Sequence, residues 1–257
     1  MSFRTSPRGG RDPDSSAFRW LPAVAGMTVL LATGCAHAPA DDPNDPFENV
    51  NRGIYSFNEL ADHYAMHPVA TGYDKVMPQV ARTGVKNFFS NLTYPTVIAN
   101  DALQLKGQLL AEDFCRFVLN STFGLAGLID VATPGGLLEH KEDFGQTLGY
   151  WGVGEGWYLM LPFLGPSDNR DLIGRGGDYF TNPSFYLENE WAGYGLTALD
   201  LVDFRARLLP ADRFLEQQLD RYVFVRTAYL QDRQNRAYDG NPPKEDYGFD
   251  EEETKTP

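Results

Sequence analysis

Asp45-Pro46-Phe47-Glu48-Asn49-Val50-Asn51-Arg52-Gly53-Ile54-Tyr55-Ser56-Phe57-Asn58-Glu59-Leu60 carries apolar side chains at Phe47, Val50, Ile54, Phe57 and Leu60. Steps of three and four place these on one face of a helix. Downstream the punctuation is again helical. Thr93-Tyr94-Pro95 predicts a helix entry with proline near the first turn, running to about Lys106 and stopping at Gly107. The next helix is expected from about Gln108 to Thr122, with Leu110, Phe114, Phe117 and Val118 on one side and Gly124 and Gly127 ending it. Asn182-Pro183 predicts a capped start for a helix over 183–209, and Pro210-Ala211-Asp212 opens another to about Arg236. Strand-like alternation is scarce; the best pieces are Trp151-Gly152-Val153 and Tyr158-Leu159-Met160-Leu161. The fold class is mainly α, with one helical domain over residues 47–238.

The middle of that domain differs. Thirteen of the 25 glycines fall between 124 and 177, interleaved with Phe144, Tyr150, Trp151, Trp157, Tyr158 and Phe163. Glycine permits close backbone approach and positive φ. Two readings remain open: a loop that moves against lipid or gates a passage, and a poorly helical connector packed by its aromatics. The first makes Gly145, Gly149, Gly152, Gly154, Gly156, Tyr158 and Gly165 candidate channel or gating residues.

Upstream, Arg4, Arg8, Arg11 and Arg19 precede an apolar run from Leu21 to Leu31, too short to span a bilayer core of roughly 30 Å. Ala32-Thr33-Gly34-Cys35 follows, small residues ahead of a cysteine, which resembles a lipobox although Ala32 stands where Leu is preferred. Residues 1–34 are therefore expected to be a lipoprotein signal, with Cys35 lipidated. The acylated Cys35 would leave Cys115 as the only free thiol, so no internal disulfide is expected. Cys115 is expected to be a small buried apolar residue. Ala36, rather than the Asp that retains lipoproteins at the inner membrane in well-studied enterobacteria, points to the outer membrane. Residues 35–46 are too polar and proline-broken to pack and form a tether; residues 239–257 form an acidic tail expected to be disordered.

The chain carries 22 Lys and Arg against 35 Asp and Glu, net −13, and the leader takes four of the arginines with it. Such a field excludes binding to nucleic acid by general charge, and an anionic membrane would not attract the protein electrostatically. Beyond the leader no stretch reaches 18 apolar residues, so no transmembrane helix is expected.

Catalytic patterns are missing. There is no phosphate-cradling Gly-x-x-x-x-Gly-Lys-Ser/Thr and no Gly-x-Ser-x-Gly elbow. Gly152-Val153-Gly154-Glu155-Gly156 lacks the strand–helix context of a dinucleotide loop. Asp130, Asp143 and Asp171 are not spaced for paired acid–base work, and Asp171 is expected to pair with Arg170 or cap a turn. Glu59, His63 and His67 recur at i, i+4, a spacing that can converge on zinc, but Pro68 disfavours helical geometry at His67. They are expected to be solvated surface residues, with no metal and no cofactor beyond the covalent lipid at Cys35. Asn51, Asn58, Asn87 and Asn120 are each expected to cap helices rather than orient helix junctions.

The block Asp45–Arg52 with Tyr55-Ser56-Phe57-Asn58 resembles the start of the MlaA/VacJ family of outer-membrane lipoproteins. So do, in family order, Gly84–Leu92, Arg116–Gly124, Gly127–Ala132, Asp143–Gly149, Trp151–Gly156, Leu161–Ser167 and Arg170-Asp171. At Gly156-Trp157-Tyr158 the chain departs from the family's usual Gly-Pro-Tyr. The resemblance implies an α-helical, ring-shaped lipoprotein in the inner leaflet of the outer membrane, facing the periplasm and associated with a trimeric porin. It implies removal of phospholipid from the outer leaflet through an amphipathic channel and handover to a soluble periplasmic carrier, without enzymatic chemistry. At roughly 0.8 kcal/mol per CH₂, exposing two acyl chains to water costs on the order of 20 kcal/mol. A passage with polar groups for the head and apolar walls for the tails lowers that barrier. The alternatives are a porin-associated structural lipoprotein without transport activity and, more distantly, a hydrolase acting on envelope lipids.

Overall fold

The computed structural model describes residues 45–242; the leader, Cys35, nearly all of the tether and the acidic tail from 243 onward lie outside them. Helix α1, Glu48–Ala61, runs through a π-helical turn at Asp62–Met66 into α2, His67–Val76. Helices α3, Gln79–Leu103, and α4, Gly107–Thr122, pack against each other. After a 3₁₀ turn at Thr133–Gly135 come the short α5, Phe144–Tyr150, and the strands β1, Tyr158–Leu161, and β2, Gly165–Asp168. Then α6, Asn169–Thr181, a 3₁₀ turn at Pro183–Tyr186, α7, Glu190–Glu216, and α8, Arg221–Ala237, complete the described chain. The mainly α class is as the sequence predicts.

Several boundaries are not. Pro95 does not open a helix; it lies inside the 25-residue α3, which starts at Gln79. Burial of Tyr94, Thr96 and Val97 on either side holds the helix continuous across the lost hydrogen bond. That helix ends at Leu103, and Gly107 begins α4 instead of stopping α3. Pro210 likewise lies inside the 27-residue α7. There Arg205 spans the proline, its guanidinium joined to Asp212 at 2.9 Å beyond it and to Asp62 at 2.7 Å in the π-turn. Asn182 caps only the 3₁₀ turn, accepting from Ser184 N, while Asn189 caps α7 and Asp220 caps α8. The backbone stays helical through His67 despite Pro68, which sits in the first turn of α2. Of the two strand candidates, Tyr158–Leu161 is β1; Trp151 and Gly152 form a turn, and the partner strand is Gly165–Asp168, antiparallel with Tyr158 opposite Asp168 and Leu161 opposite Gly165.

The second edge of β1 is closed by side chains. Asn51 and Asn58 lie seven residues apart, hence on one face of α1. Asn51 Nδ2 donates to Tyr158 O at 3.1 Å, and its Oδ1 accepts from Met160 N at 2.9 Å. Asn58 repeats this one step on, with Leu161 O at 2.9 Å and Phe163 N at 2.8 Å. Asn120 does the same for a loop, accepting from Val131 N and Ala132 N. Asn87 makes one long contact, 3.4 Å, to Leu128 O. The expectation that these asparagines cap helices is therefore corrected: they pin backbone from distant elements, because strand edges and loops leave N–H and C=O groups that must be paired.

Asp45 is buried too, accepting from Asn51 at 2.8 Å and from Arg226 at 2.9 Å as well as from Tyr222. The chain thus packs from Asp45 on, and the reading of residues up to 46 as too polar to pack fails at this residue. Cys115 is exposed rather than buried; Asp113, Arg116 and Asn120 take the inward face of α4.

A small aromatic core of Tyr158, Met160 and Tyr222 sits where α1, β1 and α8 meet, with Ile54, Tyr55 and Tyr229 around it. Elsewhere the usual distribution is inverted. Among the described residues, buried polar and charged side chains number 19 and buried hydrophobic ones nine. Large apolar groups lie outside: Trp191 is 84 % exposed, Phe123 73 % and Phe163 72 %. Soluble monomers rarely expose apolar surface so freely, and such faces mark contact with lipid or protein. No helix among the described residues is long and apolar enough to cross a membrane.

Candidate functional site

The inward polar groups surround two clefts. The larger, about 640 Å³, lies among the end of α1, the turn between β1 and β2, α6, α7 and α8. The smaller, about 360 Å³, lies among α3, the segment before α5, α6 and α7. Asp143, Asp178 and Phe204 line both, so the two clefts meet there.

A buried ion-pair network forms the wall at the junction. Asp143, the N-cap of α5, accepts from Arg233 of α8 at 2.5 and 2.9 Å, and from Gln146 N at 2.9 Å. Arg233 also donates to Asp171, which accepts from Tyr229 OH. Asp168 caps α6 through Asp171 N at 2.7 Å. Although burial alone would push the Asp143 carboxyl up, the Arg233 guanidinium and its other donors hold it below the usual carboxylate range. The Tyr229 hydroxyl is driven upward by burial and by Asp171. Around the larger cleft Arg205 binds Asp62 and Asp212, and Arg236 binds Asp232 at 2.7 Å. Apolar walls come from Phe163, Leu164, Leu201 and Phe204. The result is an amphipathic space, with fixed charges inside and apolar surface beside them.

The family model described as MlaA lipoprotein matches residues 43–236. The chain belongs to this family. It is 39 % identical over 221 residues to the intermembrane phospholipid transport system lipoprotein MlaA of Escherichia coli K12, covering 82 % of this chain and 86 % of the relative. It is 31 % identical over 228 residues to the protein of the same name in Haemophilus influenzae, with 83 % and 89 % covered. A solved chain, from work on the structural basis for maintenance of bacterial outer membrane lipid asymmetry, superposes with a TM-score of 0.68 at 36 % identity, over 77 % of this chain and 99 % of that one.

Within this MlaA-family domain the glycines singled out from sequence do not form one loop. Gly145 and Gly149 lie in α5. A Cβ at Gly145 would overlap the Asp171 carboxylate, and one at Gly174 would overlap the Gly145 backbone, so these two glycines let α5 and α6 cross closely. Gly152, Gly154 and Gly156 follow in the connection to β1. Tyr158 is buried in the core against Tyr222 and Tyr229. Gly165 opens β2 with φ 75° and is the one of the seven that lines the larger cleft. Trp157, where the MlaA family usually has proline, packs edge-on against Phe47 with ring centroids 5.4 Å apart. Cys35 lies outside the described residues.

Asp171 pairs closely with Arg233 and, as expected, also with Arg170, whose Nε lies 4.0 Å away. Glu59, His63 and His67 are not brought together: Glu59 accepts from Tyr55 OH at 2.9 Å, His63 meets the Tyr64 ring edge-on, and His67 sits 3.7 Å from Asp212. The π-turn shifts the i, i+4 register that the sequence spacing assumed. Among the described residues no group of three His, Cys, Asp or Glu is placed to hold a metal ion. Sequence reading missed Arg233, Arg175, Asp178 and Phe204. Arg233 comes from α8, 62 residues beyond Asp171 and 90 beyond Asp143, and no local spacing announces such a partner.

Proposed function

We propose that the chain is an outer-membrane lipoprotein, anchored through Cys35 in the inner leaflet and facing the periplasm. It withdraws phospholipid from the outer leaflet through an amphipathic channel, beside a trimeric porin, and passes it to a periplasmic phospholipid carrier, maintaining lipid asymmetry. The observation that carries this reading is the junction at Asp143, Asp178 and Phe204, shared by two clefts inside a domain that exposes many large apolar side chains. The relatives' part in intermembrane phospholipid transport supports it. A headgroup crossing the junction exchanges water for fixed charges, while acyl chains stay against Phe163, Leu164 and Leu201 or the surrounding lipid. The Gly145–Gly165 stretch, with its turns at Gly152 and Gly165, adjusts the opening. No bond is made or broken, so direction comes from the partners.

The test is outer-leaflet phospholipid in a parent strain, a deletion strain, and the deletion complemented with wild-type or Cys35→Ala protein. Deletion is expected to raise it, and only the wild-type protein to restore the parental level. An unchanged outer leaflet on deletion would leave the structural, porin-associated role instead.

A further inference from the structure

The ion pairs around the larger cleft account for every charged side chain lining it except two, Arg175 and Asp178. Both lie on α6, three residues apart, which puts their Cβ atoms roughly 5–6 Å from each other on one helix face. Arg175 donates to Pro166 O at 3.2 Å and meets no carboxylate among the described residues. Asp178 Oδ1 accepts from Phe144 N at 2.8 Å and from Asn100 Nδ2 at 3.4 Å, while Oδ2 has no partner among the described residues. Burial pushes the Asp178 carboxyl up to about 6, which leaves it mainly ionised at neutral pH.

We propose that Arg175 and Asp178 form a receptor for a zwitterionic phospholipid headgroup, the phosphate on Arg175 and a primary ammonium on Asp178 Oδ2. This rests on the phospholipid-passing function above and names the headgroup class. A guanidinium fork suits a phosphodiester, and an ammonium supplies the charge-assisted donor that Oδ2 lacks. In an ethanolamine headgroup two carbons join these charges, a span that fits the i, i+3 spacing. The acyl chains of the same molecule meet Phe163, Leu164 and Phe204. An anionic glycerol headgroup also satisfies Arg175, but it leaves the Asp178 carboxylate without a counter-charge once water is excluded. That penalty, more than any extra attraction, sets the discrimination.

The experiment uses full-length lipidated protein in detergent micelles containing equal amounts of dioleoyl phosphatidylethanolamine and dioleoyl phosphatidylglycerol. Lipid retained after repurification is counted by mass spectrometry. The wild type is expected to enrich the ethanolamine lipid about tenfold, the factor that one charge-assisted hydrogen bond supplies. Asp178→Asn, which keeps an acceptor for Phe144 N–H, brings the ratio towards one, and Asp178→Glu recovers part of it. Arg175→Ala, at an exposed position, lowers the retained amount of both lipids several-fold. Equal retention by the wild type, an unchanged ratio in Asp178→Asn, or unchanged retention in Arg175→Ala overturns the receptor and leaves the transport function standing. Wild-type protein that retains no phospholipid overturns both.

Discussion

Asp101 and Asp113 face each other from α3 and α4, both fully buried. Neither Asp101 oxygen has a donor, nor does Asp113 Oδ2. Burial and the neighbouring carboxyl drive Asp101 up to about 7, and burial raises Asp113 against the pull of His140, 3.1 Å away, and of Arg116. Glu142 adds negative charge and Lys106 positive charge nearby. The folded state thus holds a proton that the unfolded chain has released above about pH 4. The native state binds more protons over that window, so stability is present at low pH and is lost as pH rises from about 4 to about 7. Thermal unfolding followed from pH 4 to 8 should show this fall in the wild type and a flatter profile in Asp101→Asn. Above pH 7 the variant should melt higher by roughly 5 °C. Parallel profiles for the two proteins would sink the account. A second contrast lies between the asparagines. Asn51→Ala leaves Tyr158 O and Met160 N on the edge of β1 without their partners and should cost about 2–3 kcal/mol in chemical unfolding; Asn87→Ala, with one long contact, should cost less than about 0.5. The sequence places Asn51 on α1 but says nothing of β1, 107 residues away, and so an inward amide that pairs a strand is indistinguishable there from a cap.

At the scale of elements, α5 and α6 cross with no side chain between Gly145 and Gly174. Gly174→Ala forces backbone apart and should destabilise by roughly 2–3 kcal/mol. Gly176→Ala, two residues along α6 with open space around its would-be Cβ, should be neutral or stabilising by some tenths through helix propensity. Matched unfolding curves for the two variants would mean that the helices do not meet as described. Elements also show what the sequence makes legible. Amphipathic periodicity locates α1 and α4, but it misplaces their inward faces, which carry Asn51 in α1 and Asp113, Arg116 and Asn120 in α4. Pro95 and Pro210 mislead because proline's meaning depends on what surrounds it: buried neighbours hold α3 continuous, and the Arg205 strut spans Pro210 within α7. The ordered blocks Gly84–Leu92 through Arg170-Asp171 identify the family, whereas the junction of the clefts is assembled from α5, α6, α7 and α8 and belongs to no single block.

For the whole molecule, the exposed apolar side chains predict affinity for lipid beyond the anchor proposed at Cys35. Full-length Cys35→Ala protein, lacking acyl chains, should still float with phosphatidylethanolamine–phosphatidylglycerol vesicles in a density gradient and should aggregate when detergent is removed. A variant that stays monodisperse in detergent-free buffer would show that the exposed aromatic groups do not face lipid.

The scarcity of buried apolar residues also bears on temperature. Heat capacity rises on unfolding because apolar groups become hydrated, by about 12–15 cal/mol/K per residue in ordinary soluble domains. Here few such groups leave a dry interior, and the outward ones stay solvated by detergent before and after unfolding. Calorimetry in micelles should give a distinctly smaller increment and a shallow stability curve. Cohesion supplied by salt bridges would then persist on warming, since the cost of dehydrating charges shrinks with heat, and cooling would do little to loosen the fold.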